Sequence, residues 1–181
     1  MELIINEDNL QINEIQEFCI KARAILIDEN NKILIANYAN VILLPGGKVN
    51  EKELISHAII REIKEELGQD YNNDELEYFL TLNYYQKNYP KKEGIFQNRL
   101  VKTYYFLGRY KKVTKELQKL TEKEKKGNFK LELVSLEEIE NIILNNKNNN
   151  PRNIYFQKEL MMIILHYKKL HSIKIKRLKL N

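Results

Sequence analysis

A glycine pair followed by an amphipathic helix with acids near its end constrains this chain more than any other stretch. Gly46 and Gly47 follow the short apolar run 41–44, and the apolar periodicity of residues 50–68 predicts a helix of about four turns. At about 100° per residue, one face of that helix is apolar and a different face is acidic. The apolar residues are Ile59, Ile60, Ile63 and Leu67, and the acids are Glu62, Glu65 and Glu66. We expect the apolar face to pack on a core.

The three carboxylates stand where they weaken a helix. Like charges three and four residues apart repel by about 0.2–0.5 kcal/mol per pair. Acids in the last turn also oppose the helix dipole, by a further ~0.3–1 kcal/mol each. A bound divalent cation would reverse the sign of this cost, because hard cations bind clustered carboxylate oxygens. Glu62, Glu65 and Glu66 therefore predict a metal site, with a solvated charged face as the alternative.

Both ends of the helix carry recognisable signals. Asn50 is the predicted N-cap, with Glu53 as its capping-box partner, and Gly68 is the predicted C-terminal cap. Glu53 can serve the cap alone or belong to the site. Gly46 and Gly47 can form a plain tight turn, or they can let a main-chain carbonyl face a metal, because glycine adopts conformations closed to other residues.

The rest of the chain predicts an α/β fold with a mixed β-sheet and helices packed against it. Strands are expected at 22–28, 33–38, 41–44, 76–85, 100–110 and 129–134, and further helices at 135–144 and 154–170. The order of strands, helix, strands and helices argues against a doubly wound parallel sheet. The predicted organisation is an N-terminal arm at 1–19 (a loose arm or a short edge strand), one domain at 20–170, and a basic C-terminal tail at 171–181.

The charge and the cysteine content indicate which binding partners and which cellular compartment to expect. The net charge is +5, with bases concentrated in residues 168–179, which favours a polyanion such as RNA or else a solvated lysine surface. The single cysteine, Cys19, excludes an internal disulfide, and its apolar neighbours Phe18 and Ile20 predict a buried thiol. We see neither a signal peptide nor an apolar run of membrane-spanning length, so the sequence predicts a soluble cytoplasmic protein.

The stretch 46–68, described first above, matches a known motif. Every fixed position is filled at both fixed spacings, by Gly47, Glu53, Arg61, Glu62, Ile63, Glu65, Glu66 and Gly68. This stretch resembles the Nudix box, the signature of MutT-like Nudix hydrolases, which act on nucleoside diphosphates linked to another group. Gln69 departs from the family pattern, which usually has an aliphatic residue there. The resemblance extends loosely over residues 20–170 and implies a Nudix-type α/β/α sandwich with a mixed β-sheet between helices.

The resemblance implies a role for each matching residue. Glu62, Glu65 and Glu66 match the metal-binding carboxylates of the family, and the main-chain carbonyl of Gly47 matches a further ligand. Mg²⁺ is the expected ion, with Mn²⁺ as the alternative, since carboxylates and substrate phosphates suit hard cations. Arg61 matches the arginine that pairs with a box glutamate and holds it in place.

The general base and the substrate contacts are less tightly defined. The base is Glu62 in some members of the family, whereas in others it comes from a later loop, which here is the predicted loop 86–97 with Glu93. We favour Glu62. Arg23 stands where members often have a phosphate-binding arginine, although an ion pair at a strand end explains it equally well. Tyr84 lies near a tyrosine found in members that cleave dinucleoside polyphosphates, and core packing is its alternative role.

Three functions follow from these features. The leading one is a Mg²⁺-dependent hydrolase that cleaves the phosphoanhydride bond of a nucleoside diphosphate derivative, with nucleoside triphosphates or dinucleoside polyphosphates favoured. The alternative is a non-catalytic Nudix-fold module that binds a nucleotide, or RNA through the tail 171–181. An isomerase of the same fold would need a catalytic cysteine, and Cys19 has no neighbouring histidine. The Lys/Glu-rich segment 111–128 suggests no chemistry, and the oligomeric state stays open, a homodimer included.

Overall fold

A mixed β-sheet forms the centre of the fold in a computed structural model, which describes residues 1–91 and 94–178 of the chain. The strands are β1 Glu2–Ile5, β2 Glu17–Ile27, β3 Lys32–Tyr38, β4 Val41–Leu43, β5 Gly46–Lys48, β6 Leu76–Pro90, β7 Phe96–Arg109 and β8 Lys130–Ser135. They pair in the order β1-β6-β7-β2-β3-β4, with β5 beside β2 and β8 beside β3. The β1–β6 and β2–β7 pairs are parallel, and the others are antiparallel.

Helices cover both faces of this sheet. They are α1 Ile55–Leu67, α2 Glu122–Lys126, α3 Ile139–Asn145 and α4 Asn153–Leu178. Successive residues of a strand point to opposite faces, and β2 shows this clearly. Ala24 and Leu26 pack in one core with α1, while Ile25 packs in the other with α3 and α4. The predicted α/β sandwich with a mixed sheet between helices is confirmed.

The box helix begins later than the sequence predicts. Its first residue is Ile55, because Lys52 has a φ of 63° and interrupts the helical path. Asn50 and Glu53 instead close a separate turn, in which the Asn50 N–H donates to Glu53 Oε2 at 2.9 Å. Gly68 does cap the helix, in the left-handed conformation with φ 68°.

The β6–β7 hairpin extends well into the predicted loop 86–97. The two strands stay paired as far as Pro90 and Phe96. The sequence does not indicate this continuation, because the residues involved are polar and resemble a loop. Gln86, for example, is buried and accepts a hydrogen bond from Arg99 Nε at 2.6 Å. The predicted base Glu93 lies outside the described residues.

Regular secondary structure extends into both the predicted arm and the predicted basic tail within the described residues. Strand β1 pairs with β6 and provides the edge strand that was one of the two predictions for the arm 1–19. Helix α4 continues to Leu178, past the predicted end near residue 170 and into the basic tail 171–181. The side chains of residues 172–181 lie outside the described part. Cys19 is half-buried and not fully buried as predicted, and its neighbours Phe18 and Ile20 are exposed.

None of the helices in the described part of the chain is both long enough and apolar enough to cross a membrane.

Replacing Gly68 by alanine is expected to destabilise the fold more than the same change at Gly94. Both glycines have positive φ, so each alanine incurs about 1–2 kcal/mol of backbone strain. A Cβ on Gly68 would also overlap the carbonyl oxygen of Thr114, whereas a Cβ on Gly94 meets nothing within 4 Å in the described residues. Urea denaturation of the two variants measures the difference in free energy of unfolding. Equal losses would show that the overlap at Thr114 is unimportant.

Candidate functional site

Strand β5 and helix α1 bring the box residues together. In the register of β5 with β2, Gly46 lies opposite Arg23 and Gly47 opposite Ala22. Gly46 has a φ of 121°, and a Cβ on it would overlap the carbonyl oxygen of Ala22. Only glycine therefore lets β5 approach β2 this closely. Because the apolar face of α1 packs on the same strand, the last two turns of α1 lie beside β5.

Glu66 is the most deeply buried acid of the box. Glu66 is 3% exposed, and its Oε2 accepts a hydrogen bond from the Gly46 N–H at 2.9 Å. Burial raises the pKa of Glu66 well above the ordinary value, against the opposing effects of the Gly46 hydrogen bond and the Arg23 charge. This carboxylate connects α1 directly to Gly46 and Gly47 at the start of β5, the pair that is called the glycine turn below.

Glu62 lies against the second glycine. A Cβ on Gly47 would overlap the Glu62 carboxylate, so the absence of a side chain at this position is what admits the acid. Burial raises the pKa of Glu62, while its hydrogen bond with Arg61 acts to lower it. The Glu62 carboxylate and the main chain of Gly47 are thus neighbours, as the metal-ligand hypothesis requires.

Arg61 holds the acids in place. Its Nε and Nη2 donate to the two oxygens of Glu53 at 2.7 and 2.9 Å, a bidentate pair. Its Nη1 donates to Glu62 Oε1 at 2.7 Å and to Glu65 Oε2 at 3.4 Å, and its Nη2 to the carbonyl of Lys48 at 3.2 Å. The hydrogen bond from Arg61 lowers the pKa of Glu53 to about 2. Glu53 therefore anchors Arg61 in addition to closing its local turn.

The donor set fits a hard divalent cation. Carboxylate oxygens of Glu62, Glu65 and Glu66 and the carbonyl of Gly47 are the kinds of ligand that Mg²⁺ and Mn²⁺ prefer. Within residues 1–91 and 94–178, no three His, Cys, Asp or Glu side chains already converge as a finished metal site. The reason lies in the contacts above, since Arg61 holds Glu62 and Glu65 while Glu66 bonds to the turn.

The segment 111–128, to which the sequence assigned no chemistry, packs against the end of α1. The Lys119 N–H donates to the carbonyl of Glu65 at 2.8 Å, and the Thr114 N–H donates to the carbonyl of Leu67 at 2.9 Å. Gln69, the departure from the family pattern, donates to Thr114 Oγ1 at 2.6 Å. An amide suits this position because it satisfies a polar segment that an aliphatic residue would leave unbonded.

The same segment places a further negative charge near the site. Besides burial, the negative charge of Glu124 on α2 raises the pKa of both Glu62 and Glu66. Sequence reasoning missed Glu124, and its only signal was a capping box with Thr121, which the structure contains. A low-complexity run of Lys and Glu gives no sign of which of its acids faces the box.

Arg23 is buried in the middle of β2. Its Nη1 donates to the carbonyl oxygens of Leu44 and Gly46, the latter at 3.3 Å. Its Nε lies 3.9 Å from Glu159 Oε1 on α4. An ion pair is present, but it lies in the middle of the strand and not at the strand end that the sequence suggested, and its partner comes from a distant helix. Arg23 supports the segment that leads into the glycine turn.

Tyr84 lies away from the box. It is 4% exposed and belongs to the core beneath α4, where its ring centroid is 6.2 Å from that of Tyr155. Strand β7 separates its strand from β2, and β5 lies beyond β2 in turn. This placement agrees with core packing, and burial raises the pKa of its hydroxyl.

Comparison with known proteins decides the family. A model of the NUDIX domain matches residues 18–158 of the chain. The chain belongs to the Nudix family. A comparison with curated protein sequences found no match.

Solved structures resemble this Nudix protein in fold. The bifunctional NMN adenylyltransferase/ADP ribose pyrophosphatase from Francisella tularensis aligns with a TM-score of 0.54 at 18% identity, over 84% of this chain and 42% of that one. The same Francisella protein complexed with AMP and Mn ion gives 0.50 at 17% identity, over 83% and 42%. A MutT NUDIX hydrolase from Burkholderia pseudomallei gives 0.50 at 17% identity, over 67% and 86%. At these identities the likeness concerns the fold alone.

Proposed function

We propose that this Nudix protein is a divalent-metal-dependent hydrolase that cleaves the phosphoanhydride bond of a nucleoside diphosphate linked to another group. The observation that carries this proposal is the environment of Glu66. Its carboxylate is buried beside Glu62 and hydrogen-bonded to the glycine turn, without an ion-pair partner among the described residues. A buried acid of this kind is costly unless a cation joins it.

The proposed metal ligands are Glu62, Glu65, Glu66 and the carbonyl of Gly47. Mg²⁺ is the favoured ion, and the Mn ion in the complex of the Francisella protein supports Mn²⁺ as the alternative. A bound cation of this type supplies a polarised phosphoryl oxygen and a coordinated water of lowered pKa. The acids provide the negative charge that attracts the cation, and the absence of a side chain on Gly47 lets the Glu62 carboxylate lie beside its main chain.

The residues of the chain itself perform the positioning and the proton transfer. Arg61, anchored by Glu53, holds Glu62 through its Oε1 at 2.7 Å. The Glu62 Oε2 is then free of Arg61 and can accept a proton from the attacking water as the general base. Glu93 stays the reserve candidate for this role. Glu124 adds negative charge from the side of α2, which strengthens cation binding.

The favoured substrates are nucleoside triphosphates and dinucleoside polyphosphates. ADP-ribose belongs in the comparison because the Francisella neighbour is described as an ADP ribose pyrophosphatase. RNA contact through the tail 171–181 and homodimer formation stay predictions. Substrate contacts by Arg23 and Tyr84 also stay predictions, with the buried positions of both side chains favouring structural roles.

Hydrolysis of a substrate panel tests the proposal. The protein is incubated with Mg²⁺ and nucleoside triphosphates, dinucleoside polyphosphates, nucleotide sugars or ADP-ribose, and products are separated by ion-exchange chromatography. We expect turnover of at least one class, its loss on chelation of the metal, and its loss in Glu65→Gln. The side chain of Glu65 is 36% exposed, so this substitution tests the chemistry with little effect on the fold. The absence of turnover on every substrate, or full activity of Glu65→Gln, would refute the proposal.

A further inference from the structure

A cluster of positive side chains lies on the α4 face of the sheet, behind the glycine turn. Arg23 and Arg99 are buried there, at 6% and 7% exposure, and Lys21 is partly buried beside them. Glu159 of α4, at 4% exposure, is the buried carboxylate at their centre. Three cations thus surround the one buried acid of this cluster.

The hydrogen bonds of Glu159 do not involve Lys21. Its Oε1 accepts from the Tyr105 hydroxyl at 2.6 Å and from the Thr103 hydroxyl at 3.3 Å, and lies 3.9 Å from Arg23 Nε. Although burial acts to raise the pKa of Glu159, the charges of Lys21 and Arg23 keep it below its ordinary value. All of these contacts involve Oε1 of Glu159, and none of them comes from Lys21.

Arg99 also has hydrogen-bond and charge partners. Its Nε donates to Gln86 Oε1 at 2.6 Å, and its Nη1 lies 3.9 Å from Glu17 Oε2. Its guanidinium stands 3.5 Å from the centroid of the Tyr89 ring, a stacked cation–π contact. Its charge is thus used within the fold, as is that of Arg23.

Lys21 is the exception in this cluster. No hydrogen bond or ion pair joins its ammonium to any residue in the described part of the chain, and the ammonium lies 5.1 Å from the centroid of the Phe156 ring. Burial lowers the pKa of Lys21 to about 8; Glu159 opposes this effect, while the charges of Arg23 and Arg99 add to it. Glu159 attracts this ammonium but forms no direct ion pair with it, so the donors of Lys21 remain available to a bound anion.

The position of Lys21 connects this ammonium with the box. In the register of β2 with β5, Lys21 lies opposite Lys48, the residue after Gly47. Residues across such a pair have Cα atoms about 5 Å apart. Gly46 itself is contacted from both sides, by Glu66 from the α1 side and by Arg23 from the α4 side. Gly46 alone therefore lies between the box carboxylate Glu66 and the cation Arg23, and Lys21 is two residues from Arg23 on the same face of β2.

We propose that Lys21 binds a phosphate group of the substrate other than the two joined by the cleaved bond. This inference rests on the proposed function, since it assigns the specificity of the same site. The box carboxylates and their cation bind the diphosphate whose bond is cleaved. A third phosphate lies on the other side of the glycine turn and binds the Lys21 ammonium. Lys21 thereby selects nucleoside triphosphates and dinucleoside polyphosphates over nucleotide sugars and ADP-ribose, which have no third phosphate.

The kinetic test compares Lys21→Met with Lys102→Met. Methionine keeps a long stem without the charge, which limits any effect on packing. Lys102 is a matched control on the adjacent strand β7, because its side chain faces away from α4 and lies 3.7 Å from Glu2. Losing a charged hydrogen bond is worth about tenfold or more. We expect Lys21→Met to raise KM for a nucleoside triphosphate by about that factor without changing KM for a nucleotide sugar, and Lys102→Met to change neither.

A binding measurement separates this inference from the proposed function. Inorganic tripolyphosphate is titrated into the parent and the variants by calorimetry in the presence of Mg²⁺. The inference predicts binding weakened about tenfold in Lys21→Met and largely restored in Lys21→Arg, which keeps the charge. Tripolyphosphate binding that is equal in parent and Lys21→Met would overturn it, whether or not any nucleotide is hydrolysed. Failure of all hydrolysis with Lys21-dependent binding intact would overturn the proposed function instead.

Discussion

Replacing Glu66 by glutamine is expected to reduce hydrolysis by about 100-fold or more while leaving the metal-free protein at least as stable as the parent. A metal ligand contributes several kcal/mol to the transition state, and each 1.36 kcal/mol is tenfold in rate. The glutamine carbonyl can still accept the hydrogen bond from the Gly46 N–H, which Glu66 accepts at 2.9 Å. The fold loses only a buried negative charge, whose desolvation is unfavourable.

The pH dependence of this stability difference has a definite sign. Burial raises the folded-state pKa of Glu66 well above its ordinary value of 4.5. A raised folded pKa gives stability that is present below the unfolded pKa and is lost as the pH rises through the folded pKa. The metal-free parent should therefore lose stability relative to Glu66→Gln as the pH rises above about 4.5. Urea denaturation at several pH values in the presence of a chelator measures this.

Glu65→Gln is the matched control for stability. The side chain of Glu65 is 36% exposed, so its neutralisation should leave the free energy of unfolding nearly unchanged at every pH. A Glu66→Gln variant that retains parental activity would contradict the catalytic part of the prediction. A variant that is markedly less stable than the metal-free parent at high pH would contradict the electrostatic part.

Replacing Arg23 by methionine is expected to lower the free energy of unfolding by about 3–5 kcal/mol, the usual loss when one partner of a buried ion pair is removed. Arg23 bonds the carbonyls of Leu44 and Gly46 and neutralises part of the charge of Glu159. Without it, two buried carbonyls lose a donor. The glycine turn would lose its support from the α4 face.

An exposed arginine controls for the change of residue type. Arg109 ends β7 and is exposed, so Arg109→Met should stay within about 0.5 kcal/mol of the parent in urea denaturation. A loss below about 1 kcal/mol for Arg23→Met would mean that the buried pair contributes little. In that case, the phosphate-binding role predicted from the sequence would become the better explanation of Arg23.

The local features of the box were predictable because they depend on neighbours in the sequence. Helical periodicity identified the apolar face with Ile59, Ile63 and Leu67, all of which are buried, and Gly68 was recognised as the cap. The helix start was wrong by about one turn. Lys52, whose backbone is in the left-handed conformation, determines where the helix begins. No sequence rule predicts that conformation for a lysine.

Features that depend on distant partners could not be predicted in the same way. Periodicity places Glu66 on the acidic face, yet strand β5 covers it, and nothing within the helix reports the position of that strand. Arg23 forms an ion pair with Glu159 on the last helix. The charge of Glu124 acts on Glu62 from a segment whose composition resembles a solvated surface. In each case a partner far along the chain determines what the side chain does.

Lys21 illustrates the same limit for specificity. Alternation along β2 determines that its side chain faces α4 and not solvent, and the sequence alone does not show which face a helix will cover. Phe156, Glu159 and Arg99 create its surroundings, and they come from two other elements. The motif therefore locates the chemistry, whereas tertiary packing creates the selectivity.

Binding of Mn²⁺ measured by electron paramagnetic resonance tests the central claim most directly, namely that the box carboxylates hold the catalytic cation. The free Mn²⁺ signal is followed as protein is added, and Mg²⁺ is then used as a competitor. We predict that the parent binds Mn²⁺, that Mg²⁺ displaces it, and that Glu65→Gln and Glu66→Gln each weaken binding at least tenfold. Equal Mn²⁺ binding by the parent and both variants would contradict this account.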